Sequence, residues 1–355
     1  MNQLLGIAAH TNRYRPYLKL LIPVALLISF VTGLLMLSQG LMQLPDFWRT
    51  TLAQSVKNPF VGLFIGMLGT SLIQSSSLSA SLIVALTGSG IFSVESAIPV
   101  VVGANVGTVI TVMINGLEAD TNRHVFLRAA SVVMLQDMFN LLTALLLLPL
   151  ELKTHIWEQT LSQLPSFPVL FPVFSHAFGA LPCGMGVLLG LLITASSVRV
   201  WITFWMRHRR KTTAKTFRRM LKGSIRQAFL YGLGCTATLQ SSSRLIALFI
   251  GHIQNTAFSF RHVFTFLMGA NIGTTVTALV AGLVLPFPAL LIALTHFMFN
   301  LLGAAVLYFL PFARQSAIAL AQYLGKAILQ ERLLGFAYIF TIFFLIPFLL
   351  ITLSR

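Results

Sequence analysis

Acidic residues are the scarcest feature of this sequence. Only 8 Asp and Glu occur among 355 residues, and none lies between Gln159 and Gln330. Charged residues of both signs make up 9% of the chain, against roughly a quarter in a soluble domain. Too little polar surface exists to cover a water-soluble globule, so lipid must solvate much of the chain. Cysteine is equally sparse. Cys183 and Cys235 sit among apolar and glycine residues in no CxxC spacing, which argues against a disulfide framework or a thiolate metal site and leaves them as packing residues. No HExxH, Walker A or GxSxG pattern accompanies the serines, and the histidines show no metal-ligand spacing.

What the chain has instead is apolar length. Hydrophobic residues make up 56%, and the mean hydropathy is +0.86. Runs long enough to cross a bilayer fall at 19–42, 94–117, 125–150, 176–206, 262–284, 288–310 and 333–353. The first begins after Arg13, Arg15 and Lys19 and is too long for a signal-peptide core, so it reads as an uncleaved span. The net charge of +16 does not imply nucleic-acid binding, because nine Lys and Arg are concentrated between Arg207 and Arg226 beside apolar segments. A basic connection of that kind marks a cytoplasmic loop and can meet anionic lipid.

The chain repeats itself. Gln74-Ser75-Ser76-Ser77 recurs 166 residues later as Gln240-Ser241-Ser242-Ser243. Gly103-Ala104-Asn105-Val106-Gly107-Thr108 recurs at the same offset as Gly269-Ala270-Asn271-Ile272-Gly273-Thr274, and Thr111 matches Thr277. Asp137-Met138-Phe139-Asn140 is echoed by Phe297-Met298-Phe299-Asn300. Three motifs in one order indicate a duplicated protein.

Residues 59–73 and 78–92, and likewise 224–239 and 244–256, are too short to span. Each pair is expected to form a re-entrant hairpin, 59–92 and 223–256, with its tip at QSSS. With the N-terminus inside, the outer loops hold only Arg49, Lys57 and Lys153 among the basic residues. The expected fold is an all-α polytopic membrane protein of two inverted-topology repeats. The first covers 1–150, an extracytoplasmic connector covers 151–175, the second covers 176–310 with a basic cytoplasmic loop at 207–226, and 311–355 carries the final span.

An interrupted helix in lipid leaves backbone groups unpaired, which is tolerable only where they line a cavity or hold a ligand. The helix starting after each break aims free N–H groups at the tip, and serine hydroxyls add donors. Two such tips make a donor-rich cradle for an oxyanion. The alternative is serines that glue helices together. In the Gly-Ala-Asn-x-Gly-Thr segments, unwound carbonyls, Asn amides and Thr hydroxyls would suit Na⁺, whereas glycines could equally serve close helix packing.

Asp137, within an apolar span, is a functional candidate by default. Arg244 either faces the anion or snorkels to the basic side. Arg128 is either a substrate contact or a topology anchor, and Glu95 reads as interfacial. His296 is either a packing donor or a ligand.

The paired QSSS, the two Gly-Ala-Asn-x-Gly-Thr segments and the Gln136-Asp137-Met138-Phe139-Asn140 and His296–Asn300 echoes resemble the type II sodium–phosphate cotransporter family across about 59–150 and 223–310. The resemblance implies Na⁺-coupled movement of inorganic phosphate by alternating access, with no cofactor. It implies phosphate at Gln74, Ser75, Ser76, Ser77, Gln240, Ser241, Ser242 and Ser243, with Arg128 and Arg244 as further candidates. It implies sodium near Asn105, Thr108, Asp137, Asn140, Asn271, Thr274 and Asn300. Animal members carry histidine where this chain has Gln136, and a small or apolar residue where it has Arg244. Some bacterial relatives continue into a soluble regulatory domain, which a chain ending at Arg355 is expected to lack. The compactness of the chain points to a multi-pass protein of a bacterial inner membrane. Transport of another oxyanion, or phosphate efflux, is the alternative. A membrane enzyme with a QSSS nucleophile is the remote one, since that half offers His296 but no carboxylate to orient it.

Overall fold

The structure, a computed structural model, describes residues 2–117, 123–165, 178–179, 181–253 and 258–354. Among these residues there is no strand. In the first half the helices are α1 (Asn2–Met42), α2 (Asp46–Ser55), α3 (Pro59–Ile73), α4 (Ser76–Gly88), α5 (Val94–Leu117), α6 (Arg123–Thr154) and α7 (Ile156–Ser162). In the second they are α8 (Cys183–Lys222), α9 (Ile225–Leu239), α10 (Ser242–Ile253), α11 (Phe260–Val284), α12 (Phe287–Phe309), α13 (Pro311–Gln330), α14 (Arg332–Phe340) and α15 (Ile346–Leu353). A π-helical stretch, Thr341–Leu345, joins α14 to α15. Among the described residues, seven helical segments are long and apolar enough to cross a bilayer, the last made of α14, the π-helical stretch and α15 together, and they coincide with the seven apolar runs. The chain is a polytopic all-α membrane protein.

The two halves pack alike. α3 lies against α5, and α9 lies against α11. Glycines allow these contacts. A Cβ at Gly66 or Gly103 would stand 2.0 Å from the carbonyl oxygen of Val100 or Leu63. The equivalents, Gly232 and Gly269, would meet Phe266 and Phe229 oxygens at 2.0 and 2.1 Å. Such backbone-to-backbone approach is how helices associate where lipid removes the hydrophobic drive between them. The helices bearing Gly-Ala-Asn-x-Gly-Thr are continuous through the motif, so its glycines serve packing and no unwound stretch forms.

Between the halves the partners cross over. α4 packs on α11 and α12, whereas α10 packs on α5 and α6. α1 pairs along α8 through Gly33, Gly40 and Gly190. α5 is the most enclosed span, with 89% of its apolar window buried, against 17% for the C-terminal span, Leu333–Leu353.

Three features differ from expectation. The basic stretch from Arg207 continues α8 to Lys222, because no Gly or Pro interrupts it before Gly223 and Lys and Arg are good helix formers. Phe217 and Met220 anchor that extension, with the Phe217 ring 5.3 Å from Phe249 and 5.9 Å from Phe266. A capping box of Ser224 and Gln227 then starts α9. α13, which forms no apolar run, lies along α6, with a Cβ at Gly325 only 2.5 Å from Ser131 Oγ. α6 runs on to Thr154, so the connector starts later than expected. Residues 166–175 of that connector, 176–177 of the following repeat and 254–256 of the second hairpin lie outside the described residues.

Candidate functional site

Both QSSS segments break their helices in the same way. Gln74 ends α3 at φ 55° and Gln240 ends α9 at φ 59°, the left-handed region that non-glycine residues rarely adopt. The next serine caps the following helix. Ser75 Oγ accepts from Leu78 N at 3.3 Å, and Ser241 Oγ accepts from Arg244 N at 3.3 Å. A left-handed stop followed at once by an N-cap lets two helices meet at a point, with the free N–H groups of α4 and α10 at the junction.

The two junctions touch. Ser77 Oγ donates to the Gln240 carbonyl at 2.8 Å, across 163 residues of chain. The amide of Gln240 is turned away, accepting from Thr277 and donating to the Ala237 carbonyl. Its counterpart Gln74 is exposed and lines a cavity of about 1010 Å³ together with Thr111, the counterpart of Thr277. Ser75, Ser241 and Ser243 line the same cavity. Ser76 is half-buried, whereas Ser242 is buried with its Oγ lacking a hydrogen-bond partner.

One face of α8, from Ala195 through Val198, Arg199, Ile202 and Met206 to Arg207, closes the cavity. Its charge is all of one sign, since Arg199, Arg207 and Arg244 line it and no carboxylate does. Arg244 therefore stands at the cavity. Arg128 does not line it; its guanidinium carbon lies 5.4 Å from the Phe258 ring centroid. Glu95 is exposed, with His155 Nδ1 3.9 Å away.

The remaining candidates form a buried polar layer. Gln136 and Asn271 exchange hydrogen bonds, Gln136 Nε2 donating to Asn271 Oδ1 at 2.6 Å and Asn271 Nδ2 donating back to Gln136 Oε1 at 3.1 Å. The duplicated equivalent is His296, whose Nε2 pairs with Asn105 Oδ1 at 3.2 Å. Each bond ties one half to the other. His296 thus binds an amide and no QSSS serine. Asn140 Nδ2 donates to the Asn105 carbonyl at 2.8 Å, and Asn300 Nδ2 to the His296 carbonyl at 3.0 Å. Thr108 and Thr274 donate to the carbonyls of Ala104 and Asn271.

Asp137 accepts from the Tyr338 hydroxyl on α14. Its Oδ1, with Oδ1 of Asn140 and of Asn300, is buried and has no donor. These are hard oxygen acceptors that suit Na⁺. The amide oxygens of Asn105 and Asn271 are already engaged.

Arg199 and Tyr338 escaped the sequence reading, and Arg207 entered it only as the start of the basic stretch. Arg199 carries a signal, an arginine inside the apolar run 176–206, and an ionisable residue at such a position is a functional candidate by default. Tyr338 carries none, because nothing local links it to Asp137.

The model of a family described as Na+/Pi-cotransporter matches residues 29–154 and 202–343. The chain is 28% identical over 391 residues to sodium-dependent phosphate transport protein 2A of Rattus norvegicus, covering 84% of this chain and 61% of the relative. It is 28% identical over 411 residues to sodium-dependent phosphate transport protein 2B of Homo sapiens, covering 84% and 59%. The chain therefore spans about 60% of the length of these curated relatives. No solved structure matches it.

Proposed function

As the chain belongs to the Na+/Pi-cotransporter family, we propose that it is a sodium-coupled secondary transporter of inorganic phosphate. The hydrogen bond from Ser77 to the Gln240 carbonyl carries the reading. It joins the two duplicated helix breaks at the edge of a cavity that no carboxylate lines. Phosphate is held there by Ser75, Ser76, Ser241, Ser242 and Ser243 and by the first N–H groups of α4 and α10, which complement anionic oxygens. Sodium is held by the buried acceptors Asp137 Oδ1, Asn140 Oδ1 and Asn300 Oδ1.

The coupling has an electrical reason. Each negative charge brought into a cell at 100 mV negative inside is opposed by about 2.3 kcal/mol, which two or three sodium ions cancel or reverse. In this reading the duplicated halves lie in opposite orientations, and the cavity, which runs along α8 to Arg207 where the basic stretch begins, is the inward mouth. The N-terminus is cytoplasmic, in a bacterial inner membrane. Alternating access exposes the QSSS tips to each side in turn as the crossed-over contacts of α4 and α10 shift.

The test is uptake of labelled phosphate into proteoliposomes with and without an inward Na⁺ gradient. Uptake requires the gradient and falls at least tenfold in Ser76→Ala and in Ser242→Ala. Folded protein that moves no phosphate in either direction would sink the reading and leave a family member with a different cargo.

A further inference from the structure

Three guanidiniums face one cavity, and the transport reading does not account for them. Arg199 and Arg207 stand on the same face of α8, eight residues or about 12 Å apart along the axis. Arg244 stands in the first turn of α10. All three are exposed, and none makes a side-chain hydrogen bond or ion pair among the described residues. The chain offers no carboxylate between Gln159 and Gln330 to balance them. Three like charges around a cavity with low-dielectric walls repel one another and focus a positive potential into it. Arg244 adds to that potential at the positive end of a helix dipole, where a cation is unfavourable. Phosphate at the serine tips does not offset this charge, because co-bound sodium ions already compensate it.

We propose that Arg199, Arg207 and Arg244 form a second anion site in the same cavity, one that takes a phosphate-type anion of two or more negative charges without sodium. Guanidinium forks bind phosphoryl oxygens two at a time. A cavity of about 1010 Å³ has room for this anion beside a phosphate at the tips. The site lies along α8 between the tips and the basic end of that helix, so an anion held there obstructs release of cargo to that side. This binding does not require sodium coupling, so it can fail or hold independently of the transport reading.

The probe is labelled pyrophosphate, with the whole protein in phosphatidylcholine nanodiscs and choline replacing sodium. Saturable binding is expected, weakening as ionic strength rises. Arg199→Gln and Arg207→Gln each weaken it about tenfold or more, while Arg199→Lys, which keeps charge but loses the fork, falls between. Ser76→Ala and Ser242→Ala leave it unchanged, and thermal melting checks that each variant is folded. Absence of saturable binding, or equal loss in the serine variants, overturns the proposal. So does displacement of pyrophosphate when phosphatidylglycerol is added to the discs, which would give the arginines to lipid headgroups. Pyrophosphate binding without any sodium-driven phosphate uptake would keep this site and reject the transport reading.

Discussion

Gln136 and His296 occupy matching places in the duplicated halves and do the same job with different chemistry. Each reaches across to an asparagine of the other half, Gln136 to Asn271 and His296 to Asn105. Gln136→Leu removes both bonds that Gln136 exchanges with Asn271 and leaves the buried Asn271 amide oxygen without a donor, at a cost of about 1–3 kcal/mol. The expected outcome is a lower thermal midpoint in detergent, partly restored by adding Asn271→Leu. Gln136→His, which copies the other half, keeps the midpoint within a few degrees. A Gln136→Leu protein as stable as the parent would show that the cross-half bond contributes nothing. The pairing could not be read from sequence, because 135 residues separate its members. QSSS was legible, because a polar tetrad repeated at a fixed offset in an apolar chain rarely arises by chance. Arg199 was visible only as a charge, since helical register alone does not say whether position 199 meets a cavity or the lipid boundary.

At the scale of elements, hydropathy found the seven long apolar helices of the described residues, because lipid solvation demands about twenty apolar residues regardless of tertiary detail. Residues 207–226 misled because positive charge marks a membrane side but says nothing about backbone conformation. α13 stayed hidden because its buried stripe of Arg314, Ala317, Ala321, Gly325 and Ile328 mixes small residues with a charge and forms no apolar run. The Gly-Ala-Asn-x-Gly-Thr glycines act through α3–α5 and α9–α11 packing. A Cβ at Gly103 or Gly269 would strike a carbonyl oxygen, whereas one at Gly69 or Gly234 would meet nothing within 4 Å. Gly103→Ala and Gly269→Ala should therefore cut the yield of monodisperse protein several-fold, while Gly69→Ala and Gly234→Ala leave it near the parent's. Size-exclusion chromatography after membrane extraction reads the difference, and four indistinguishable profiles would remove the packing role.

Across the whole molecule, the halves are duplicated in sequence but not in state. Gln240 is held by Thr277 and Ala237, while Gln74 faces the open cavity beside Thr111. Under the proposed alternating access, this difference between the two glutamines belongs to one step of the cycle. A disulfide across the crossed-over contact of α4 with α12 should arrest it. In a background with Cys183 and Cys235 replaced by alanine, Gly88→Cys with Ala289→Cys, where a Cβ at 88 would stand 3.0 Å from that of Ala289, is expected to stop sodium-driven uptake on oxidation and regain it on reduction. Uptake that survives complete crosslinking would mean that α4 and α12 do not separate during transport.

The joint between the tips has a further property. Ser77 contributes a side chain, but Gln240 contributes only its peptide oxygen. Every amino acid has that oxygen, so a codon change at 240 leaves the acceptor in place provided the left-handed bend survives, and glycine would keep the bend most easily. Drift at 77 has no such protection, and only serine or threonine there retains the hydroxyl. The two duplicated tetrads thus carry unequal mutational burdens, and a saturation library scored by phosphate-dependent growth should find position 77 intolerant while position 240 still accepts glycine.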